Sequence, residues 1–283
     1  MNIKKNIFVA KNHGHSVLMD LYFEESEQKR PVVIFAHGFK GFKDWGHWEI
    51  LAKHFAQAGY VFVKFNFSHN GTTPEDLLAF GDLEAFGENN YLKELEDLDQ
   101  VLDKVVELAQ THKTIDLSRV SLIGHSRGGG IGLVKTAMDA RIHLMICWAS
   151  VSRLDYAWQD TAQLAAWKSK GVYYIRNGRT QQDMPLYYQL YETFKEEEEL
   201  LDVARQVKSI DKPLLILHGT EDPAVPVLAA QQLHRWNPSS ELVLIEGANH
   251  VFGGKHPYEL ATLPAHSQEL FDESYQFLRK HFK

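Results

Sequence analysis

The 283-residue chain has one cysteine, Cys147, so no disulfide can form within it, and such sparing use of thiols fits a reducing compartment. Cys147 lies in the apolar run Leu144 to Ala149, which predicts a buried, inert thiol rather than a nucleophile. No apolar run reaches the roughly eighteen residues that a membrane-spanning helix needs. Met1 to Ala10 carries Lys4 and Lys5 but no apolar stretch of signal-peptide length after them, so the expectation is a cytoplasmic protein with no membrane partner. There is also no basic block. The formal net charge is −7, which disfavours nucleic acid and anionic lipid as partners. The one dense charge run, Glu196 to Glu199, is acidic and reads as a solvated helix face.

Other chemistries are excluded by missing patterns. H-E-x-x-H and C-x-x-C are absent, and His13-Gly14-His15 offers two ligands on a turn with no third nearby, so no metal is expected. Gly128-Gly129-Gly130 lacks the G-x-G-x-x-G spacing and downstream acid of a dinucleotide site, so no cofactor is expected either. No internal repeat or low-complexity tract occurs. What is present is ordinary for a globular protein: 44% apolar and 24% charged residues. The length fits one domain or a domain with an insertion.

Strand-like and helix-like segments alternate, which predicts an α/β fold. Ile7–Ala10 and Val17–Phe23 read as an opening antiparallel pair. Continuous apolar runs at Val32–Ala36, Val61–Phe67, Val120–Ile123, Ile142–Ala149, Pro213–Leu217 and Leu242–Ile245 suit strands covered on both faces. Helices are expected at Trp48–Ala58, at Leu92–Ala109 from its three-four apolar spacing, after Gly124 to about Met138, and at Glu269–His281. From Arg153 to Ser209 the alternation stops. This stretch is rich in aromatics, with a hairpin expected around Asn177-Gly178 and one or two helices over Leu190–Val207. It reads as a cap, residues 153–209, inserted into a core made of residues 1–152 and 210–283.

Gly124-His125-Ser126-Arg127-Gly128 matches G-x-S-x-G between a buried strand and a glycine-rich helix start, the setting of a strained elbow that exposes a nucleophilic serine. A serine hydroxyl needs a base. The chain holds fifteen histidines, so histidine alone says little. His250 stands out by position, on a turn just past the strand Leu242–Ile245, where open α/β sheets place their sites. The base needs an orienting carboxylate. Asp222 and Glu221 follow the strand Pro213–Leu217 in the same way; Asp222 is favoured and Asp155 is the main competitor. The order Ser126, Asp222, His250 is nucleophile, acid, base.

Across nearly its whole length the chain resembles the α/β-hydrolase superfamily, through His37-Gly38-Phe39, Gly124–Gly128, His218-Gly219-Thr220-Glu221-Asp222 and Asn249-His250. It is most similar to small cytoplasmic bacterial carboxylesterases, including those that cleave cinnamoyl and feruloyl esters and carry a cap at this place. The resemblance implies a mostly parallel central sheet flanked by helices. It also implies an oxyanion hole from the backbone N–H groups of Phe39 and Arg127. Arg127 departs from the Gln or Met common after the nucleophile and would put a cation at the pocket floor. His37, Tyr156, Trp158, Tyr173 and Tyr187 are candidates for the substrate pocket.

The expected activity is hydrolysis of small carboxylic esters through an acyl-enzyme, with short or aromatic acyl groups preferred. An aminopeptidase-like peptidase, a thioesterase and an acyltransferase would share the machinery, and a catalytically inactive binding protein is a further alternative. A homodimer is left open.

Overall fold

The computed structural model describes residues 1–155, 158 and 160–283. The chain opens with an antiparallel hairpin of β1 (Asn2–Asn12) and β2 (His15–Phe23). Then follow β3 (Arg30–Ala36), α1 (Trp48–Gln57), β4 (Val61–Asn66), α2 (Leu83–Gly87), α3 (Tyr91–Thr111), β5 (Ile115–His125), α4 (Arg127–Met138) and β6 (Leu144–Trp148). The next stretch carries α5 (Thr161–Lys170), β7 (Val172–Arg176), β8 (Asp183–Tyr187), α6 (Gln189–Glu196), α7 (Glu198–Leu201) and α8 (Val203–Ser209). The chain closes with β9 (Leu214–Gly219), α9 (Leu228–Trp236), β10 (Glu241–Ile245) and α10 (Ala265–His281).

Eight strands form one sheet in the order β1-β2-β4-β3-β5-β6-β9-β10. Only the two pairs that involve β2 are antiparallel; every other neighbour is parallel. The continuous apolar runs are the reason. Both faces of β3, β4, β6 and β9 are covered, and their residues are buried almost without interruption. Alternate residues feed opposite layers: Val32, Ile34 and Ala36 pack with α3, α4 and α9, whereas Val33 and Phe35 pack with α1 and α10. Register brings the strand ends level, with Ala36 beside Gly124, His125 beside Trp148 and Gly219 beside Ile245. The loops after β3, β5, β9 and β10 therefore emerge along one edge.

The expected hairpin forms as β7 and β8, with Tyr173 opposite Leu186. The aromatics of this stretch pack on one another: Trp158 meets Trp167, Tyr191 and Phe194 at ring separations of 6.1, 5.6 and 5.0 Å. Tyr91 of α3 joins them, and its hydroxyl donates to the Leu154 carbonyl at 2.6 Å. Glu196–Glu199 is exposed, as a solvated face should be. Cys147 is fully buried, and burial pushes its thiol up to about 12, so it stays an inert thiol at neutral pH.

The core also buries charge. Lys64, in the middle of β4, is fully buried on the α1 side of the sheet. Its ammonium pairs with Asp20 of β2 at 3.1 Å and with Asp44, and Lys43 reaches the same two carboxylates at 2.9 and 2.5 Å. Lys43 and Asp44 belong to the loop after β3, and the Lys43 N–H donates to Asn66 Oδ1 at 2.6 Å. The cluster thus fastens that loop to β2 and β4. Removing one partner leaves a buried charge uncompensated, so Asp20→Asn should cost about 3–5 kcal/mol. Urea unfolding checks this; a loss below about 1 kcal/mol would mean that the remaining charges are solvated.

Candidate active site

Ser126 sits between the end of β5 and the start of α4, at φ 57° and ψ −120°. A residue with a Cβ holds that conformation only under constraint. The constraint is visible: the Ser126 N–H donates to the Trp148 carbonyl at 2.9 Å, and its own carbonyl accepts from Gly129 and Val151 at 3.0 and 3.2 Å. The hydroxyl makes no capping bond to the helix it precedes, which leaves it for the cavity side. Two glycines permit the close packing. A Cβ at Gly128 would lie 2.4 Å from the His37 carbonyl oxygen, and one at Gly38 would lie 2.8 Å from Ser126 Cβ. The loop after β3 is therefore pressed against the serine, and Phe39 and Ser126 line the same two cavities.

His250 stands on the turn after β10, and its Nδ1 lies 2.7 Å from Asp222 Oδ2. The Asp222 side chain is fully buried while the His250 ring is partly exposed. Asp222 Oδ1 accepts from the N–H groups of Ala224 and Val225 at 2.8 and 2.9 Å. Burial alone would raise this carboxyl. Hydrogen bonds from His218 and His250 and from the Val225 N–H outweigh burial and hold it well below the ordinary carboxylate range. Asp222 is thus an anion throughout the neutral range. Glu221 points to solvent, and Asp155 is engaged by Arg153 at 2.5 Å.

Two further histidines support this pair, and neither was assigned a role from the sequence. His125 Nε2 lies 2.9 Å from the His250 carbonyl oxygen, so it must donate there, which anchors the turn that carries His250. His218 Nε2 lies 2.9 Å from the Val225 carbonyl and 3.3 Å from Asp222 Oδ2, again as donor. The available signal was position: both stand at the C-terminal ends of parallel strands, as does His37.

His37 borders the smaller of two cavities at Ser126, as expected, but its ring is almost fully buried. Its Nε2 accepts from the Phe67 N–H at 3.3 Å, so Nδ1 carries the proton and donates to the Gly38 carbonyl at 2.9 Å. This ring holds the loop that carries Phe39. The Arg127 side chain, by contrast, does not reach the pocket floor. It is buried 3.9 Å from the centre of the Phe39 ring and 3.5 Å from Glu94 Oε1, and it lines neither cavity. The expected cation at the floor is instead a clamp beneath Phe39. Its backbone opens α4, where first-turn N–H groups face the helix start rather than an acceptor within the helix.

The cavities differ in size and lining. The smaller, about 220 Å³, is walled by Phe39, Trp45 and Trp48 and reached by Asn177 and Arg179 from the β7–β8 turn. The larger, about 720 Å³, is bordered by Val151, Val225, Leu228 and Ala229. Ser126 and His250 border both. Trp158, Tyr173 and Tyr187 border neither. Trp158 belongs to the aromatic packing described above, Tyr173 is exposed near Trp167, and the Tyr187 hydroxyl donates to Glu84 at 2.6 Å. These three side chains were expected to line the pocket, but they were spent on packing 153–209 against itself and against α2. Tyr156 lies outside the described residues.

The neutral rings carry a pH consequence. From an ordinary 6.5, burial pushes His37 down to about 4 and His125 down to about 3. Between those values and 6.5 the unfolded chain binds protons that the folded chain does not, so stability falls as pH drops below about 6.5. Asp97 works in the opposite sense, because burial pushes it up to about 7. At about 1.4 kcal/mol per unit, each ring should cost about 2 kcal/mol by pH 5. Urea unfolding of wild type, His37→Gln and His125→Gln at pH 7.5 and 5.0 checks this. The fall with pH should be smaller in each variant; an equal fall would mean that these rings do not titrate on unfolding.

Among the described residues no group of three or more His, Cys, Asp or Glu is placed to hold a metal ion, and no helix is long and apolar enough to cross a membrane. A family model described as the alpha/beta hydrolase family matches residues 33–263. Among solved structures, the chain is similar to Est1E from Butyrivibrio proteoclasticus with ferulic acid bound, at TM-score 0.71 and 18% identity over 98% of this chain and 99% of that one. An esterase domain of a Rhodothermus marinus protein aligns over 100% of both chains at TM-score 0.65 and 16% identity. An acylaminoacyl peptidase of Pyrococcus horikoshii aligns at TM-score 0.68 and 16% identity over 99% of this chain and 42% of its own length.

Proposed function

This chain belongs to the alpha/beta hydrolase family, and from that premise we propose that it is a serine hydrolase that cleaves small carboxylic esters through an acyl-enzyme. One observation carries the reading: a histidine on a buried carboxylate, His250 on Asp222 at 2.7 Å, borders the same cavities as a serine on a strained elbow. Ser126 Oγ attacks the ester carbonyl carbon while His250 Nε2 takes its proton. The oxyanion is met by the N–H groups of Phe39 and Arg127. Carbonyl reforms, the C–O bond breaks, and His250 gives its proton to the departing alcohol. Water then repeats the cycle on the acyl-enzyme and frees the acid. Asp222 keeps the proton on His250 Nδ1, so Nε2 is the acceptor, and it stabilises the imidazolium.

The acyl group occupies the smaller cavity, whose volume and aromatic walls suit a short chain or a single ring; the larger one takes the alcohol. Residues 153–209 act as a cap, with the β7–β8 turn closing over the smaller cavity. The test is kcat/KM across p-nitrophenyl esters of increasing chain length and hydroxycinnamate esters, with fluorophosphonate labelling mapped to its residue. Turnover should peak on short or aromatic acyl groups, and the label should fall on Ser126. A steady rise out to long chains would overturn the acyl preference. Labelled Ser126 with no ester turnover would move the activity to peptides or thioesters, and no label would leave a binding protein.

A further inference from the structure

The chain is acidic overall, with net charge −7, yet among the described residues no carboxylate lines either cavity at Ser126. The charged side chains there are Lys40, Arg179 and Arg153. Arg153 is neutralised by Asp155 at 2.5 Å. Lys40 and Arg179 have no ion pair and no side-chain hydrogen bond among the described residues.

Both are nonetheless held in place. Lys40 sits at φ 56°, a left-handed position that costs a residue with a Cβ, and its ammonium lies 5.6 Å from the Phe39 ring centre. Arg179 lies 5.6 Å from the centres of both Phe42 and Phe80. Its turn is rigid, because Asn177 Oδ1 accepts from the N–H groups of Arg179 and Thr180 at 3.1 and 3.4 Å. The surroundings disfavour both charges: burial lowers Lys40, with Arg127 adding to it, and burial lowers Arg179. Lys40 is half-buried and Arg179 exposed at the cavity mouth, so both present a cation to whatever enters the smaller cavity. A guanidinium also presents the planar fork that pairs with a carboxylate.

We propose that the smaller cavity selects an acyl group bearing a carboxylate, so that the preferred substrate is the monoester of a small dicarboxylic acid, with Arg179 and Lys40 meeting the free carboxylate. This rests on the esterase reading above. Hydrolysis is unchanged by it: the ester C–O bond breaks, water adds, and the free carboxylate takes no part in bond making.

Two measurements keep the two readings apart. The first compares kcat/KM for monomethyl terephthalate with that for methyl 4-methylbenzoate, an uncharged ester of similar shape. The anionic ester should be preferred at least tenfold at low salt. That ratio should fall by about tenfold in Arg179→Gln and in Lys40→Gln, mainly through KM, and should shrink as salt rises to about 0.5 M. The second is calorimetric binding of terephthalate itself, which needs no turnover; its Kd should rise at least tenfold in Arg179→Gln, with circular dichroism as the folding control. Terephthalate binding that depends on Arg179, with no ester turned over, sinks the esterase reading and keeps the anion site. Ester turnover with no anionic preference and no terephthalate binding sinks the anion site and keeps the esterase. A preference that survives both substitutions overturns the assignment to these two side chains.

Discussion

Ser126→Ala should lower kcat on any ester that the wild type hydrolyses by about 10⁶, while leaving stability within about 0.5 kcal/mol. Both halves follow from the elbow. The hydroxyl makes no capping bond and no other hydrogen bond among the described residues, so its removal costs the described structure none. The backbone bonds to Trp148, Gly129 and Val151 use main-chain atoms that alanine retains. The strain at φ 57° also remains, because alanine keeps the Cβ that causes it. Ser126→Gly should therefore be more stable than Ser126→Ala, by about 1 kcal/mol, at equal loss of activity. Paired kinetics and urea unfolding of the two variants measure this. Turnover in Ser126→Ala close to wild type would end the nucleophile assignment. A glycine variant no more stable than the alanine variant would mean that the elbow is not strained.

The residues of this site were legible in the sequence to very different degrees, and the reason is local geometry. Asp222 and His250 each follow a short apolar run and a turn, and Ser126 follows its strand directly; such a run places whatever comes after it at the edge of the sheet. That rule needs no knowledge of neighbours. His37, His125 and His218 obey it too, but what they do depends on which carbonyl lies across from them, and register between strands decides that. The pocket aromatics failed for a related reason. The composition of 153–209 reveals an aromatic-rich segment but not which way each ring turns, and Trp158 turned inward to Tyr191 and Phe194. Arg127 was expected in the pocket because it follows Ser126; one helical step sent its guanidinium under Phe39 instead. The short helix α9 was missed because Ala229 and Ala230 supply much of its buried face and give little apolar signal. The Lys43, Lys64, Asp20 and Asp44 cluster joins residues from three elements, and only Lys64, inside an apolar strand, hinted at it.

Two of the strand-end histidines, His125 and His218, bear on how the proposed catalytic pair is held. His250 is held from two sides: its ring by Asp222 and its backbone carbonyl by His125. Asp222 has four partners: two backbone N–H groups on Oδ1 and His218 and His250 on Oδ2. Such a pair is oriented before substrate arrives, which is what electrostatic catalysis requires of it.

That arrangement makes the outcome of Asp222→Asn specific. The N–H groups of Ala224 and Val225 are both donors to Oδ1, so the asparagine must keep its oxygen there. Its NH₂ then falls at the place of Oδ2, facing His250 Nδ1 and His218 Nε2. A donor opposite Nδ1 favours the His250 tautomer with Nδ1 bare and Nε2 protonated. That ring has no lone pair for the Ser126 proton, and the imidazolium loses its counter-charge. The substitution should lower kcat by about 10⁴ with KM changed less than about threefold, as wrong-tautomer triads do. The rate of fluorophosphonate labelling of Ser126 should fall in parallel, because it needs the same base. His218 meets the same NH₂ donor to donor, so a stability loss of about 1–3 kcal/mol should accompany the kinetic one. His218→Gln, which relieves that meeting while leaving the His250 tautomer reversed, should recover stability in the double variant without recovering kcat. If the double variant regains activity together with stability, the defect was one of folding, and Asp222 would be a structural anchor rather than the group that sets the His250 proton.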